Sequence, residues 1–286
     1  MRIGTSSTGY FKAVPVAGDF ARMKRHGYDC VDFQSFGDTE NELFTCSNKE
    51  FEQKLKTIRA SAEESGIEVF QAHGPWHSPL QDATEQDRTK RFEEMAKALY
   101  GSALLGCKYL VIHPLMPFGW QSDPEPEKLW EINLRYFTLL TREAQNCGTV
   151  LCLENTPMTA LSLARPVEIL NLVREIDSPY MRVCLDTGHC AVFGQPSDAV
   201  RLLGKEYLST LHVPDNNGRE DLHWLPYTGV TDWGAFCHAL RDIGFDGVMS
   251  IEASVKGTYP PNVRDYLEIG VAMMAKSLAE ESERVL

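Results

Sequence analysis

Short apolar runs alternate with longer amphipathic stretches along the whole chain. This alternation predicts repeated strand–helix units built around a parallel sheet. The apolar runs predict eight strands, at 2–6, 30–34, 68–73, 109–114, 150–155, 181–186, 208–213 and 248–253.

Between these strands, apolar residues recur at helical spacing. In the third such stretch, Phe92, Met95 and Leu99 share one face, with charged residues between them, so we expect this face to pack on a sheet. Glycine, proline and aspartate mark the helix-to-strand turns, most clearly at 176–181 and 243–249. The predicted helices are 18–26, 48–65, 83–105, 126–147, 166–176, 197–204, 232–243 and 263–283.

No linker or shift in composition divides the chain, which predicts a single domain over residues 1–286. Eight strand–helix units in one α/β domain favour a (β/α)8 TIM barrel over an open doubly wound sheet. The absence of a G-x-G-x-x-G turn after the first strand also argues against a dinucleotide-binding fold. In a barrel, functional groups are expected at the C-terminal ends of the strands, where the loops into the helices meet.

Composition and charge restrict the kinds of molecule that the chain is expected to bind. The hydrophobic fraction of 43% supports a globular protein with a substantial core. A net charge of −12 would repel a polyanion, and no basic patch offsets it. No apolar stretch approaches the roughly 20 residues of a membrane span, and no leader-like run follows the N-terminus, so a cytoplasmic location without membrane contact is expected. The eight cysteines form no C-x-x-C pair and are predicted to be buried free thiols.

Candidate chemistry lies at the ends of the predicted strands. Six consecutive strands each end in a residue type that binds metals: His73, His113, Glu154, Asp186, His212 and Glu252. Taken singly, each of these residues could be a hydrogen-bonded core or rim residue, or the partner of an arginine. One cation at the barrel mouth explains the six together, because buried carboxylates and imidazoles need a compensating partner.

Three further residues extend this set. His189 follows Asp186 by three residues and can turn back to the mouth, while Asp221 and His223 would project to one side of an extended segment. The alternative for Asp221 and His223 is a solvated polar turn. Mixed imidazole and carboxylate ligands suit Mn²⁺, Zn²⁺, Co²⁺, Fe²⁺ or Mg²⁺. The predicted core quartet is Glu154, Asp186, His212 and Glu252, and the other five residues would serve additional metals or the hydroxyl groups of a substrate.

The sequence resembles the xylose isomerase-like barrel superfamily, which includes sugar isomerases and epimerases, inosose dehydratases and the endonuclease-four type of apurinic-site endonuclease. The motifs that carry this resemblance are "HGPW", "VIHP", "LENTP", "CLDTGH", "LHVPDNNGREDLHWLPYTGVTDW" and "GFDGVMSIEA". The ketose 3-epimerase branch implies one Mn²⁺ or Co²⁺ on the core quartet. It also implies Glu154 and Glu252 as the pair that moves a proton beside a carbonyl, through a metal-stabilised enediolate.

The endonuclease branch implies three Zn²⁺ ions, and all of its ligands have counterparts among the nine residues above. The loops predicted around the mouth are acidic or neutral, which argues against nucleic acid and for a small carbohydrate substrate. A metal-dependent phosphodiesterase, an inosose dehydratase-type lyase and a barrel without catalysis stay open as alternatives. Relatives are often dimers or tetramers, so a homo-oligomer is compatible with the resemblance.

Aromatic residues near the predicted ligands are candidates for substrate contact, since the C–H faces of sugars pack on aromatic rings. They are Trp76, Trp120 and Trp224. One departure from the family pattern is "LPYTG", which places Tyr227 where relatives often have a glycine, and we expect this to change the path of the loop.

Overall fold

The computed structural model of the chain describes residues 1–77, 80, 82–253, 255 and 258–284. Eight strands are present within these ranges: β1 (Arg2–Ser6), β2 (Cys30–Phe33), β3 (Glu68–His73), β4 (Tyr109–Ile112), β5 (Val150–Glu154), β6 (Met181–Asp186), β7 (Leu208–His212) and β8 (Val248–Ile251). The helices are α1 (Asp19–His26), α2 (Glu42–Thr45), α3 (Asn48–Glu64), α4 (Glu85–Leu105), α5 (Pro126–Cys147), α6 (Pro166–Ile176), α7 (Thr187–Ala191), α8 (Pro196–Tyr207), α9 (Trp233–Asp242) and α10 (Pro261–Glu283).

The eight strands form one parallel sheet in the order β7-β6-β5-β4-β3-β2-β1-β8. The two outer strands approach each other at the remaining seam, where Val213 N donates to Ser250 O at 2.9 Å. The sheet is therefore a nearly closed barrel with helices between successive strands, and the prediction of a (β/α)8 TIM barrel is confirmed. All strand C-termini consequently point to one mouth.

The predicted strands and helices are all found, and the differences are confined to their ends and to short elements. Strands β4 and β8 end earlier than predicted, so His113 and Glu252 directly follow their strands. The short helices α2 and α7 were not predicted, because 4 or 5 residues do not display a helical period.

Inside the barrel, side chains of β5 and β6 form two layers, one of cysteines and one of acids. Cys152 and Cys184 each precede the last residue of their strand by two positions, so alternation turns them to the same side as Glu154 and Asp186. With Val111 they form a separate buried apolar cluster. All eight cysteines are unpaired, as predicted, and six of them are buried, whereas Cys46 and Cys147 are only half-buried. The polar groups at the strand ends therefore lie next to a buried layer of apolar side chains.

Candidate functional site

All six histidines and carboxylates predicted at the strand ends lie at the mouth of the barrel. His73, Glu154, Asp186 and His212 are the last residues of β3, β5, β6 and β7. His113 and Glu252 lie one residue beyond β4 and β8. Because the strands are parallel, the side chains from these six strands meet at the same mouth.

The predicted core quartet is close enough for its members to share one ion. Glu154, Asp186, His212 and Glu252 each offer one ligand atom, and these atoms all lie within 4.8 Å of one another. His212 Nδ1 is 2.9 Å from Glu154 Oε1 and 3.1 Å from Glu252 Oε2. The Oδ2 atom of Asp186 is buried and finds no hydrogen-bond partner among the described residues. A buried carboxylate oxygen without a donor fits a cation.

The orientation of His212 is set by Asp32, a residue of β2. The Nε2–H group of His212 donates to Asp32 Oδ2 at 2.8 Å, and the side-chain amides of Gln34 and Gln71 donate to the same oxygen at 2.9 and 3.3 Å. This arrangement turns Nδ1 of His212 toward Glu154 and Glu252. Sequence reasoning missed Asp32. Its signal is a single acid inside an otherwise apolar strand.

Asp186 and His189 are linked by the local geometry of α7. Asp186 is the N-cap of this helix, and its Oδ1 accepts from His189 N at 2.6 Å. The Nδ1–H group of His189 donates to Asn155 O at 2.9 Å, which leaves Nε2 facing Asp221 Oδ2 at 3.3 Å. The helical turn thus returns His189 to the mouth, as its spacing predicted.

Two further groups flank the quartet. In the first, His113 Nε2 and His73 Nε2 approach Glu154 Oε2 to 3.1 and 3.5 Å. In the second, His189 and His223 lie on either side of Asp221, whose Oδ1 is 3.1 Å from His223 Nε2. Each set of three offers ligand atoms within 4.8 Å of one another. The loop after β7 therefore brings Asp221 and His223 back over the site, with their side chains 34% and 39% exposed.

Burial and mutual charge shift the pKa values of these groups. Burial would raise the pKa of Glu154, but His212 and His113 lower it well below its ordinary value. Burial raises the pKa of Asp186 to about 7 and lowers the pKa of His113 to about 4. The pKa of His189 rises to about 10 in spite of burial, because Asp186 and Asp221 are adjacent. Perturbed pKa values of this kind cluster at functional sites.

A cavity of about 310 Å³ opens directly over these groups. Trp76 lines it, and the Trp76 ring lies 4.4 Å from the ring of His113. Trp224 lines a second cavity next to it, whereas Trp120, 39% exposed, is outside the lining of both. Neither cavity has a lysine or arginine among its described lining residues.

The "LPYTG" turn lies at the edge of the second cavity. Tyr227 adopts a left-handed φ of 71°, a conformation that glycine favours, and its side chain is 47% exposed. Gly229 is required for a different reason, since a Cβ atom there would overlap the carbonyl oxygen of Asn216.

The fold and site define a (β/α)8 barrel protein with a candidate metal centre at the mouth. The chain belongs to the xylose isomerase-like TIM barrel family, whose model matches residues 20–276. It is 26% identical over 244 residues to a D-psicose 3-epimerase of Ruminiclostridium cellulolyticum, an alignment that covers 82% of this chain and 80% of that protein. No helix in the described ranges has both the length and the apolar character needed to cross a membrane.

Solved structures share the fold at low sequence identity. A D-tagatose 3-epimerase-like protein superposes with a TM-score of 0.76 at 23% identity, covering 98% of this chain and 97% of that one. The IolI protein with a bound zinc atom superposes with a TM-score of 0.73 at 16% identity, covering 99% and 98%.

Proposed function

We propose that this chain is a divalent-cation-dependent sugar isomerase or epimerase that moves a proton at the carbon beside a carbonyl group. The observation that carries the proposal is the convergence of Glu154, Asp186, His212 and Glu252 on one point within 4.8 Å. The alignment with a D-psicose 3-epimerase over most of both chains supports a small carbohydrate as substrate.

The quartet would hold one cation. His212 Nδ1 sits between two carboxylates, where a positive charge must lie for the three groups to stay together, and the buried Oδ2 atom of Asp186 supplies a further ligand. Mixed imidazole and carboxylate ligands favour Mn²⁺, Co²⁺ or Zn²⁺ over Mg²⁺. When bound, such a cation acts as a Lewis acid that makes the C–H group beside a carbonyl more acidic.

Glu154 and Glu252 would carry the proton. They enter the cavity from β5 and from the end of β8, and both line it. One carboxylate takes the proton from the carbon, which leaves an enediolate, and the other returns a proton to the opposite face and inverts that centre. Asp186 and His212 have no part in this transfer and serve to hold the cation. Trp76 forms an apolar wall for the C–H groups of the sugar.

Deuterium exchange tests this chemistry. Metal-loaded enzyme incubated in D₂O with D-fructose, D-psicose, D-tagatose and inososes should place deuterium on the carbon next to the carbonyl. Glu252→Gln should abolish exchange, while Glu220→Gln, an exposed change on the loop after β7, should not. Absence of exchange across the whole panel and with substituted ketoses would refute the proposal. A product lighter by one water would identify a dehydratase, which begins with the same proton abstraction.

A second candidate is a phosphodiesterase of the endonuclease-four type. The two flanking groups, with three ligand atoms each, favour it because they would suit two additional ions. Against it stands the lack of lysine and arginine among the described residues of both cavities, since phosphate contacts dominate affinity for nucleic acids. Elemental analysis separates the candidates: one ion per chain supports the epimerase and three support the phosphodiesterase. Binding of abasic DNA that weakens steeply with salt would favour the phosphodiesterase.

A further inference from the structure

A second cavity continues outward from the candidate site. It has a volume of about 920 Å³, against about 310 Å³ for the inner one. Gln34, His223 and Glu252 line both cavities, so the two adjoin at the proposed catalytic carboxylate. Ligand pockets usually span about 300 to 1,000 Å³. The inner cavity is thus of monosaccharide size, and the outer one has room for a much larger group.

The outer cavity has an apolar wall that the proton transfer does not use. Leu222, Trp224 and Leu225 form this wall, and Leu222 and Trp224 remain 36% and 41% exposed. Ser6 and Thr8, two hydroxyl-bearing residues, also line this cavity. Contiguous exposed apolar side chains with a polar rim mark binding sites, because leaving them in water is costly.

The wall is held rigidly in place. Trp224 and Asp215 exchange two backbone hydrogen bonds of 2.8 Å each, and the Asp215 side chain accepts from Gly229 N and from the indole N–H of Trp233 at 2.8 and 3.1 Å. Next to Trp224, His223 has a strained φ of 45° and donates from Nδ1 to Glu252 O at 2.8 Å. A rigid wall lowers the entropy cost of binding, and strain of this kind is typical of functional loops.

We propose that the outer cavity binds an apolar, ring-containing substituent attached to the sugar, so that the substrate is a substituted sugar rather than a free monosaccharide. The identity of the sugar part rests on the proposed function, whereas the substituent site rests on the cavity and its wall. Trp224 is the specificity-determining residue of this site.

The test uses a pair of ketoses, D-fructose and 1-O-benzyl-D-fructose, which differ only in a benzyl group on the 1-hydroxyl oxygen. Binding to the metal-loaded enzyme is measured by titration calorimetry, and deuterium exchange is followed in parallel. We expect the benzyl ether to bind at least ~10-fold more tightly, as one well-packed ring contributes more than 1.4 kcal/mol. Trp224→Ala and, separately, Leu222→Ser should reduce this preference toward unity.

Tyr266→Ala, a change on the outer surface of α10 at a side chain 76% exposed, should retain the preference. Equal binding of the two ketoses, binding of neither, or a preference that survives both wall variants would overturn the inference. The two proposals fail separately. Tighter binding of the benzyl ether without any exchange would refute the proton transfer and support the substituent site. Exchange without a preference for the benzyl ether would support the proton transfer and refute the substituent site.

Discussion

Replacing Asp32 by asparagine tests whether the carboxylate behind His212 prepares that imidazole to bind a cation. Three N–H donors converge on Asp32 Oδ2, from His212, Gln34 and Gln71. An asparagine must therefore place its oxygen at this point. Its NH₂ group then takes the place of Oδ1, a buried atom without a partner among the described residues.

The Asp32→Asn substitution is expected to weaken both metal binding and folding. The bond to His212 loses its charge assistance, which about halves its strength and makes Nδ1 less basic. The buried NH₂ group lacks an acceptor, which costs about 1–3 kcal/mol of folding free energy. Removing a carboxylate behind a ligating histidine typically lowers metal affinity about 10- to 100-fold, or about 1.4–2.7 kcal/mol.

The assay is a Mn²⁺ titration of chelator-treated protein, followed by the electron paramagnetic resonance of free Mn²⁺. Asp29→Asn is the control, because Asp29 precedes β2, pairs with Lys24 and has a side chain 42% exposed. It should bind Mn²⁺ like the unaltered protein. If Asp32→Asn folds and binds Mn²⁺ with unaltered affinity, the role assigned to Asp32 is wrong.

Three other substitutions test separate parts of the structure. Burial raises the pKa of Glu268 from 4.5 to about 7, so its ionisation opposes folding, weakly at pH 4.5 and fully above pH 7. Glu268→Gln should thus raise the free energy of unfolding in urea by up to about 3 kcal/mol at pH 8, and should hardly change it at pH 4.5. An equal gain at the two pH values would contradict this explanation. Arg91→Met leaves Asp82 buried without its 2.6 Å partner and should cost about 3–5 kcal/mol in the same assay; a cost below about 1 kcal/mol would contradict it. His113→Gln should leave one ion per chain by elemental analysis, whereas loss of one ion from three would favour the phosphodiesterase.

Much of the fold could be predicted because local signals agree with the final packing. Helix α5 begins and ends where predicted, with Pro126 at its first turn and Gly148 in the left-handed conformation after its end. Strand β4 was predicted two residues too long, since the apolar run itself does not record where pairing with a neighbouring strand stops. Helix α7 escaped prediction because its start depends on the Asp186 side chain rather than on an apolar period.

The site was predictable where position in a strand determines position in space. The ends of parallel strands meet at one mouth, so Glu154, Asp186 and His212 could be placed together from sequence. Asp32 could not be placed, because its importance comes from a hydrogen bond to His212, 180 residues away. The cavity beside Trp224 depends on the path of the loop after β7, which the sequence pattern does not determine.

The two carboxylate oxygens of Glu154 face different groups, so the number of bound ions would decide whether one oxygen stays free. Oε1 faces His212 and the quartet at 2.9 Å, while Oε2 faces His113 and His73 at 3.1 and 3.5 Å. If a cation occupied the quartet alone, the lone pairs of Oε2 would stay free for the proposed proton transfer. A second cation held by His73 and His113 would engage both oxygens and make the carboxylate a poor base. The proposed proton transfer by Glu154 would therefore require His73 and His113 to bind substrate hydroxyls rather than metal, and a cation held by these two histidines would favour the phosphodiesterase.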